Sequence, residues 1–88
     1  FAEAWNKRAT VRFLQGDDAG SLADIRRTLA LEPRHFGALS GRGMILERGG
    51  RPAAALAAYE AALALNPHLD RVRGRVRALR LEVEGAPI

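Results

Sequence analysis

The side chains that could carry out chemistry in this 88-residue chain are few, and none forms a recognisable catalytic set. The chain has no Cys, which excludes disulfides, thiolate metal sites and cysteine nucleophiles. His35 and His68 each follow a proline by one or two residues and have no acidic neighbours at metal-ligand spacing. Ser21 and Ser40 have no identifiable base partner. We therefore predict that the protein is not an enzyme and that it has no catalytic residue, no metal site and no cofactor.

Arginine is the residue type most able to bind a partner, since 13 arginines and one lysine face ten acidic residues, giving a net charge of +4. A basic balance favours an acidic partner such as a peptide carboxylate, a nucleic acid or an anionic membrane surface. The excess is modest, however, and a bias toward arginine also reflects genome composition, so a nucleic-acid partner is not predicted. The glycine pairs at 41–43 and 49–50 lack the context of a phosphate-binding loop.

Five of the arginines lie in the last segment of the chain, where they surround a row of apolar side chains. The apolar residues recur at spacings of four, three and four, which predicts a helix with one apolar stripe: Val72, Val76, Leu79 and Val83. Arg71 and Arg75 flank the stripe on one side, where they could make charge-assisted contacts with an acidic group. Three more arginines form a row on the other side: Arg73, Arg77 and Arg80. Leu81 points away from the stripe.

An internal repeat of 34 residues supplies the elements that must position these side chains. The stretch LALEPRHF at 29–36 returns as LALNPHLD at 63–70. Shifting the chain by 34 residues aligns ten identical pairs, which include Ala4/Ala38, Arg8/Arg42, Gly16/Gly50, Leu22/Leu56 and Pro33/Pro67. The chain therefore contains two copies of one structural unit, followed by a different final segment.

Glycine and proline divide each unit into two helices. Gly16 and Gly50 are placed to end the first helix of each unit, and Pro33 and Pro67 end the second. Asp17 or Asp18 can cap the second helix of unit one and Pro52 suits a first turn, whereas Asp24 is expected on a solvated face. No segment alternates at period two. The sequence predicts an all-α fold with five helices, at about 3–14, 18–31, 36–48, 52–65 and 70–84.

With this period and these residues, the chain resembles the tetratricopeptide repeat family. In unit one, Trp5, Ala9 and Pro33 occupy the large aromatic, small and closing proline positions of that motif. Unit two matches the motif at seven positions: Leu39, Gly43, Leu46, Ala55, Tyr59, Ala62 and Pro67. Unit one also departs from it: arginines replace large apolar residues, hydroxyl side chains replace alanines and Ile replaces an aromatic, at Arg8, Arg12, Ser21, Thr28 and Ile25.

The resemblance implies a right-handed α-solenoid of antiparallel helix pairs, forming a single domain over 1–88. Repeat one covers about 2–35, repeat two about 36–69, and a capping helix about 70–84. Small residues such as Ala9 and Gly43 are expected to let the paired helices approach closely. Two repeats are few for such an array, so we expect a fragment of a longer chain whose true N-terminus is missing.

In the resembling family, the first helices of successive units line a concave groove that binds peptides or partner helices. The corresponding positions here are Glu3, Asn6, Thr10, Phe13 and Leu14, then Gly37, Ser40, Met44, Glu47 and Arg48, and finally Arg71 and Arg75. Some members clamp a C-terminal carboxylate, and Arg71 and Arg75 resemble the basic pair of that clamp. Asn6 and Thr10 stand where the clamp has Lys and Asn, so a peptide with apolar anchors fits this groove better.

The function predicted from these patterns is a non-enzymatic protein-interaction module whose partner is a protein or peptide of unidentified sequence. One alternative is self-association into a homo-oligomer through the N-terminal face that carries Phe1, Trp5 and Phe13. Another is binding of RNA or an anionic surface by the arginine rows of 71–80, although that segment has no aromatic residue to stack on bases. No transmembrane segment is predicted. The compartment is left open, with the cytoplasm favoured.

Overall fold

The computed structural model describes residues 1–85, and it contains five α-helices over that range. The bounds are α1 Ala2–Leu14, α2 Asp18–Leu31, α3 Phe36–Arg48, α4 Pro52–Leu65 and α5 Asp70–Glu84. The predicted all-α fold is confirmed, and the first helix begins one residue earlier than predicted. α1 packs on α2, α3 on α4, and α5 on α4, while α2 and α1 both contact α3.

The two units end their first helices with the same backbone geometry, 34 residues apart. Gly16 and Gly50 take φ values of 81° and 74°, a left-handed conformation that glycine adopts without steric cost. Beyond each glycine, the N–H of the next residue donates to a carbonyl of the last helical turn, Asp17 to Arg12 at 2.8 Å and Arg51 to Leu46 at 2.9 Å. The predicted glycine stops are therefore confirmed.

The predicted caps of the second helices are also present. The carboxylate of Asp17 accepts a hydrogen bond of 3.0 Å from the Gly20 N–H, so it satisfies one of the free donors at the start of α2. Pro52 occupies the first turn of α4, where its missing N–H costs no hydrogen bond.

His35 joins the two units at the seam between α2 and α3. Its Nδ1 accepts a hydrogen bond of 3.0 Å from the Ala38 N–H, which caps α3. Because Nδ1 accepts, the ring hydrogen lies on Nε2, which donates to Glu3 of α1 at 3.1 Å. His68 at the second seam is exposed, and its backbone N–H donates to the Asn66 side chain. The first seam histidine therefore links α1 to α3.

The core of unit two depends on a close approach between α3 and α4. Ala55 and Ala62 of α4 are fully buried, and the Tyr59 ring lies against Gly43 of α3. A methyl group added at Gly43 would stand 2.6 Å from two carbon atoms of that ring, well inside van der Waals contact. Gly43 therefore allows the close approach that was predicted for the small residues, because a larger side chain there would collide with the Tyr59 ring.

Asp24 was expected on a solvated face, and the structure shows that this expectation was wrong. Its side chain is fully buried between α1 and α2. Arg8 of α1 donates two hydrogen bonds of 2.9 Å to the two carboxylate oxygens, and Arg12 lies 3.4 Å from the carboxylate. These partners hold the pKa of Asp24 below its ordinary value, the hydrogen bonds from Arg8 being the largest cause. Burial is possible because two guanidinium groups compensate the lost hydration of the carboxylate.

The hydroxyl residues of unit one also take the place of small apolar contacts. Ser21 is buried and donates to the carbonyl of Ala9 at 2.7 Å. Thr28 is buried and donates to the carbonyl of Asp24 at 2.9 Å, on its own helix. Among the described residues no buried side-chain polar atom lacks a hydrogen-bond partner. Unit one is therefore held by polar contacts at positions where unit two has Ala55, Ala58 and Ala62.

α5 covers the exposed side of α4 with the first part of its apolar stripe. Val76 and Leu79 are buried, and Val72 packs against the core of unit two. Val83 was predicted on the buried stripe but is 41% exposed. Every residue of 80–85 is exposed, so the last turn of α5 lies beyond the surface that α4 covers.

We expect Gly43→Ala to lower the free energy of unfolding by about 1–2 kcal/mol, because the added methyl displaces the Tyr59 ring. Gly74→Ala is the matched control, since a methyl group at Gly74 in α5 meets no atom within 4 Å. Because alanine favours helix over glycine, this control should gain about 0.5–1 kcal/mol. Urea denaturation of both variants measures the difference, and equal gains in both would contradict the close contact at Gly43.

The Asp24 network should make stability depend on pH. Because the folded pKa of Asp24 is lowered, its contribution is complete well above the ordinary aspartate pKa of about 3.9 and is lost as the pH falls toward the lower folded value. Asp24→Asn should lower the free energy of unfolding by about 1–3 kcal/mol at neutral pH. In this variant the free energy of unfolding should fall less steeply than in wild type between about pH 5 and 3.

A second variant gives unit one the apolar residues that unit two has at the equivalent positions. Arg12→Leu combined with Asp24→Ala places in unit one the residues that unit two has at Leu46 and Ala58. We expect the pair to be more stable than Asp24→Ala alone, because it also removes Arg12, which the single substitution would leave half-buried without its counter-charge. Arg8 is more exposed, and unit two keeps an arginine at the equivalent position, Arg42. Urea denaturation that shows additive losses from the two substitutions would contradict this expectation.

Candidate functional site

A cleft of about 860 Å³ opens between the first helices of the array. α1, α3 and α5 supply most of its walls, and one side chain of α4 reaches it from below. The residues that line it are Phe13, Ser40, Met44, Glu47, Arg48, Tyr59, Arg71, Val72, Gly74 and Arg75.

Most of the predicted groove residues meet in this cleft. Those that line it are Phe13, Ser40, Met44, Glu47, Arg48, Arg71 and Arg75. Asn6 and Thr10 instead line a smaller hollow of about 70 Å³ with Gly37, and this hollow shares Phe13 and Met44 with the cleft. Leu14 lines neither hollow and is 77% exposed, because one residue along a helix turns the side chain by about 100° from Phe13.

Three residues of the cleft were not among the predicted groove residues. Tyr59 was predicted only as a motif position and Val72 as part of the apolar stripe of α5. Neither pattern gave a sign that the residue also faces the cleft. Gly74 is exposed on α5 and leaves the cleft open on that side. The signal that could have found Tyr59 is its hydroxyl group, which needs a polar partner when the ring is buried.

Arg48 fastens the two units together at one end of the cleft. Its guanidinium donates to the carbonyl of Phe13 at 2.8 Å and pairs with the carboxylate of Asp18. The same group lies 3.7 Å above the centre of the Phe13 ring, a cation–π contact. Arg48 is thus occupied by α1 and α2, and it forms a wall of the cleft.

Glu47 lies at the centre of a polar network that joins α3, α4 and α5. The buried Tyr59 hydroxyl donates to Glu47 Oε1 at 3.0 Å, and Arg75 pairs with both carboxylate oxygens. The hydrogen bonds from Arg75 are the largest cause of a lowered Glu47 pKa, with a smaller contribution from Tyr59. Burial, together with the neighbouring carboxylate, raises the pKa of Tyr59, so this hydroxyl remains protonated and continues to donate.

Arg71 and Met44 are the cleft side chains most open to a partner. Within residues 1–85 no carboxylate lies within 4.0 Å of the exposed Arg71 guanidinium. Met44 is 46% exposed even though it is a large apolar residue in a concave surface. The cleft therefore offers one apolar contact surface and one positive charge.

The arginine rows of α5 are largely paired with acidic groups. Arg75 is held by Glu47, Arg73 lies 3.5 Å from Asp70, and Arg80 donates to Glu60 at 2.8 Å. These pairs reduce the positive charge available to a polyanion, which weakens the hypothesis of RNA or anionic-surface binding.

The aromatic residues of the N-terminal face are also largely covered. The Trp5 ring has the guanidinium of Arg8 at 4.9 Å from its centre and that of Arg27 at 4.5 Å. Phe13 is covered by Arg48, and Phe1 alone of the predicted trio is fully exposed. Self-association through this face stays a prediction, with less aromatic surface behind it than the sequence suggested.

The described part of the chain contains no group of three or more His, Asp or Glu side chains placed to hold a metal ion. None of its helices has both the length and the apolar character needed to cross a bilayer.

Comparison with known proteins identifies the repeat. The sequence model of the tetratricopeptide repeat matches residues 36–69, the interval that contains α3, α4 and the seam before α5. A TPR repeat-containing protein of Rhizobium etli is 40% identical to the chain over 85 residues. The chain contains a tetratricopeptide repeat. The alignment covers 97% of this chain and 42% of the relative, so the chain spans less than half of that protein.

The tetratricopeptide repeat match falls on unit two, and the structure gives a reason for the difference between the units. Unit one fills the same helix-pair geometry with the Asp24 ion pair and with Ser21 and Thr28, which are not the residues of the motif. Tetratricopeptide repeats are a non-enzymatic type of repeat scaffold that generally mediates protein–protein interaction.

Proposed function

We propose that this chain is a non-enzymatic interaction module that binds a peptide or a helix of a partner protein in the cleft between α1, α3 and α5. Tetratricopeptide repeats generally mediate protein–protein interaction, which gives the class of partner. The position of the site is our inference from the geometry of the chain.

The observation that carries this proposal is the exposed Met44 in the floor of the cleft. Burying a large apolar side chain completely is worth roughly 1.5–3 kcal/mol, and a side chain that remains in water does not gain this stabilisation. Phe13 and Val72 line the same cleft, so a partner side chain that covers Met44 would also contact other apolar groups. The cleft volume of about 860 Å³ lies within the range of ligand-binding sites.

The cleft is shaped to accept a peptide before the partner arrives. Contacts with neighbouring helices hold Arg48 and Glu47 in place, so little ordering of these two side chains remains to be done on binding. Ser40 donates to the Phe36 carbonyl, which leaves its oxygen able to accept a further hydrogen bond. An apolar floor with a few polar groups at the rim is typical of peptide and helix recognition.

A peptide array covering the proteome of the source organism tests this function. We expect a small set of peptides to bind, and Met44→Ala to weaken their binding about tenfold, because the contact is central and apolar. Leu31→Ala is the matched control: Leu31 is also an exposed apolar helix residue, 56% exposed, but it lies at the end of α2 outside the cleft.

The two variants distinguish binding at a specific site from nonspecific hydrophobic binding. Both side chains are exposed, so neither substitution should change the free energy of unfolding by more than about 0.5 kcal/mol. Equal losses in Met44→Ala and Leu31→Ala, or peptides that bind every variant alike, would contradict the proposed site.

A further inference from the structure

We infer that Glu47 acts as an internal competitor for acidic partners: it holds Arg75 and leaves Arg71 as the available positive charge of the cleft. The favoured partner segment is then one in which a single acidic side chain adjoins an apolar side chain. This inference rests on the proposed function, because it describes the selectivity of the same cleft.

The charges of the cleft support this assignment. Three arginines line it, and two of them already have carboxylate partners: Arg48 pairs with Asp18 and Arg75 with Glu47. Within residues 1–85, Arg71 has no carboxylate within 4.0 Å. A partner therefore meets one uncompensated charge at Arg71, beside Val72 of the same helix.

Glu47 is fixed in its competing position by the core beneath it. The Tyr59 hydroxyl donates to Oε1 of Glu47, and Tyr59 itself is buried against Gly43. Arg75 approaches the same carboxylate with two nitrogen atoms, which gives the pair a defined geometry. The hydrogen bond from a buried donor restrains Glu47 where an exposed ion pair alone would leave it mobile.

The pair nevertheless lies within reach of a partner. The Glu47 side chain is 27% exposed and the Arg75 side chain 47% exposed. A partner carboxylate that approached Arg75 would meet the negative charge of Glu47 and would have to displace it. Glu47 thus opposes an acidic group at Arg75 directly, and it opposes one that binds a helical turn away at Arg71 less strongly.

The test compares two capped, fluorescent synthetic peptides on the whole chain. One alternates Leu with Asp, and the other alternates Leu with Asn, which has the same shape without the charge. Glu47→Gln keeps an oxygen for the Tyr59 hydroxyl and removes the charge that holds Arg75. Glu60→Gln is the matched control: it makes the same change in net charge but releases Arg80, which does not line the cleft.

We expect the Leu–Asp peptide to bind wild type more tightly than the Leu–Asn peptide, and Arg71→Gln to remove that preference. Glu47→Gln should strengthen binding of the Leu–Asp peptide about three- to fivefold, the effect of one freed and partly exposed charge. Glu60→Gln should leave the affinity unchanged within about 1.5-fold, since neither Glu60 nor its partner Arg80 lines the cleft and salt screens exposed charges. Combining Glu47→Gln with Arg75→Gln should abolish the gain.

The inference is overturned if Glu47→Gln and Glu60→Gln strengthen binding equally, if Glu47→Gln has no effect, or if the Leu–Asp peptide binds none of the variants. Such results would leave the proposed function intact if array peptides still lost affinity in Met44→Ala. Loss of that Met44 effect, with the Glu47 effect retained, would instead contradict the apolar site and support an anion site alone.

Discussion

The contact between Gly43 and the Tyr59 ring is the constraint on which the packing of α3, α4 and α5 depends. The absence of a side chain at Gly43 lets α3 and α4 approach until the ring fills the space between them. That depth places the Tyr59 hydroxyl next to Glu47, and Glu47 in turn holds Arg75 of α5. One backbone position in the core therefore determines the position of a charged group at the surface of the cleft.

The two units use different chemistry to hold equivalent helix pairs. Unit two uses alanines and one aromatic ring, so its close packing is apolar. Unit one buries Asp24 and satisfies it with Arg8 and Arg12, and it adds hydroxyl-to-carbonyl hydrogen bonds from Ser21 and Thr28. A buried ion pair is costly to desolvate, and unit one forms its helix pair nevertheless. The helix-pair fold therefore tolerates either polar or apolar side chains between its two helices.

Much of the fold could be predicted from the sequence, because the repeat, the glycine stops and the prolines act locally. Gly16 and Gly50 have their positive φ, and the helix ends follow from them. The burial of Asp24 could not be predicted, since nothing in the sequence placed Arg8 and Arg12 over it across two helices. Val83 continues the apolar stripe, but it lies in the last turn of α5, where every residue is exposed, and the sequence does not show how far the neighbouring helix extends alongside that turn.

The cleft itself followed from the resemblance to a known repeat, whereas its charge state did not. Arg71 and Arg75 stand four residues apart and look equivalent in the sequence. Only the fold brings Glu47 and Tyr59 to Arg75 and leaves Arg71 open. Methyl NMR of the chain with an array-selected peptide tests whether a partner binds over Met44. Binding there should shift the methyl signals of Met44 and Val72 and leave those of Leu81 and Val83 unchanged; shifts confined to Leu81 and Val83 would contradict binding in the cleft.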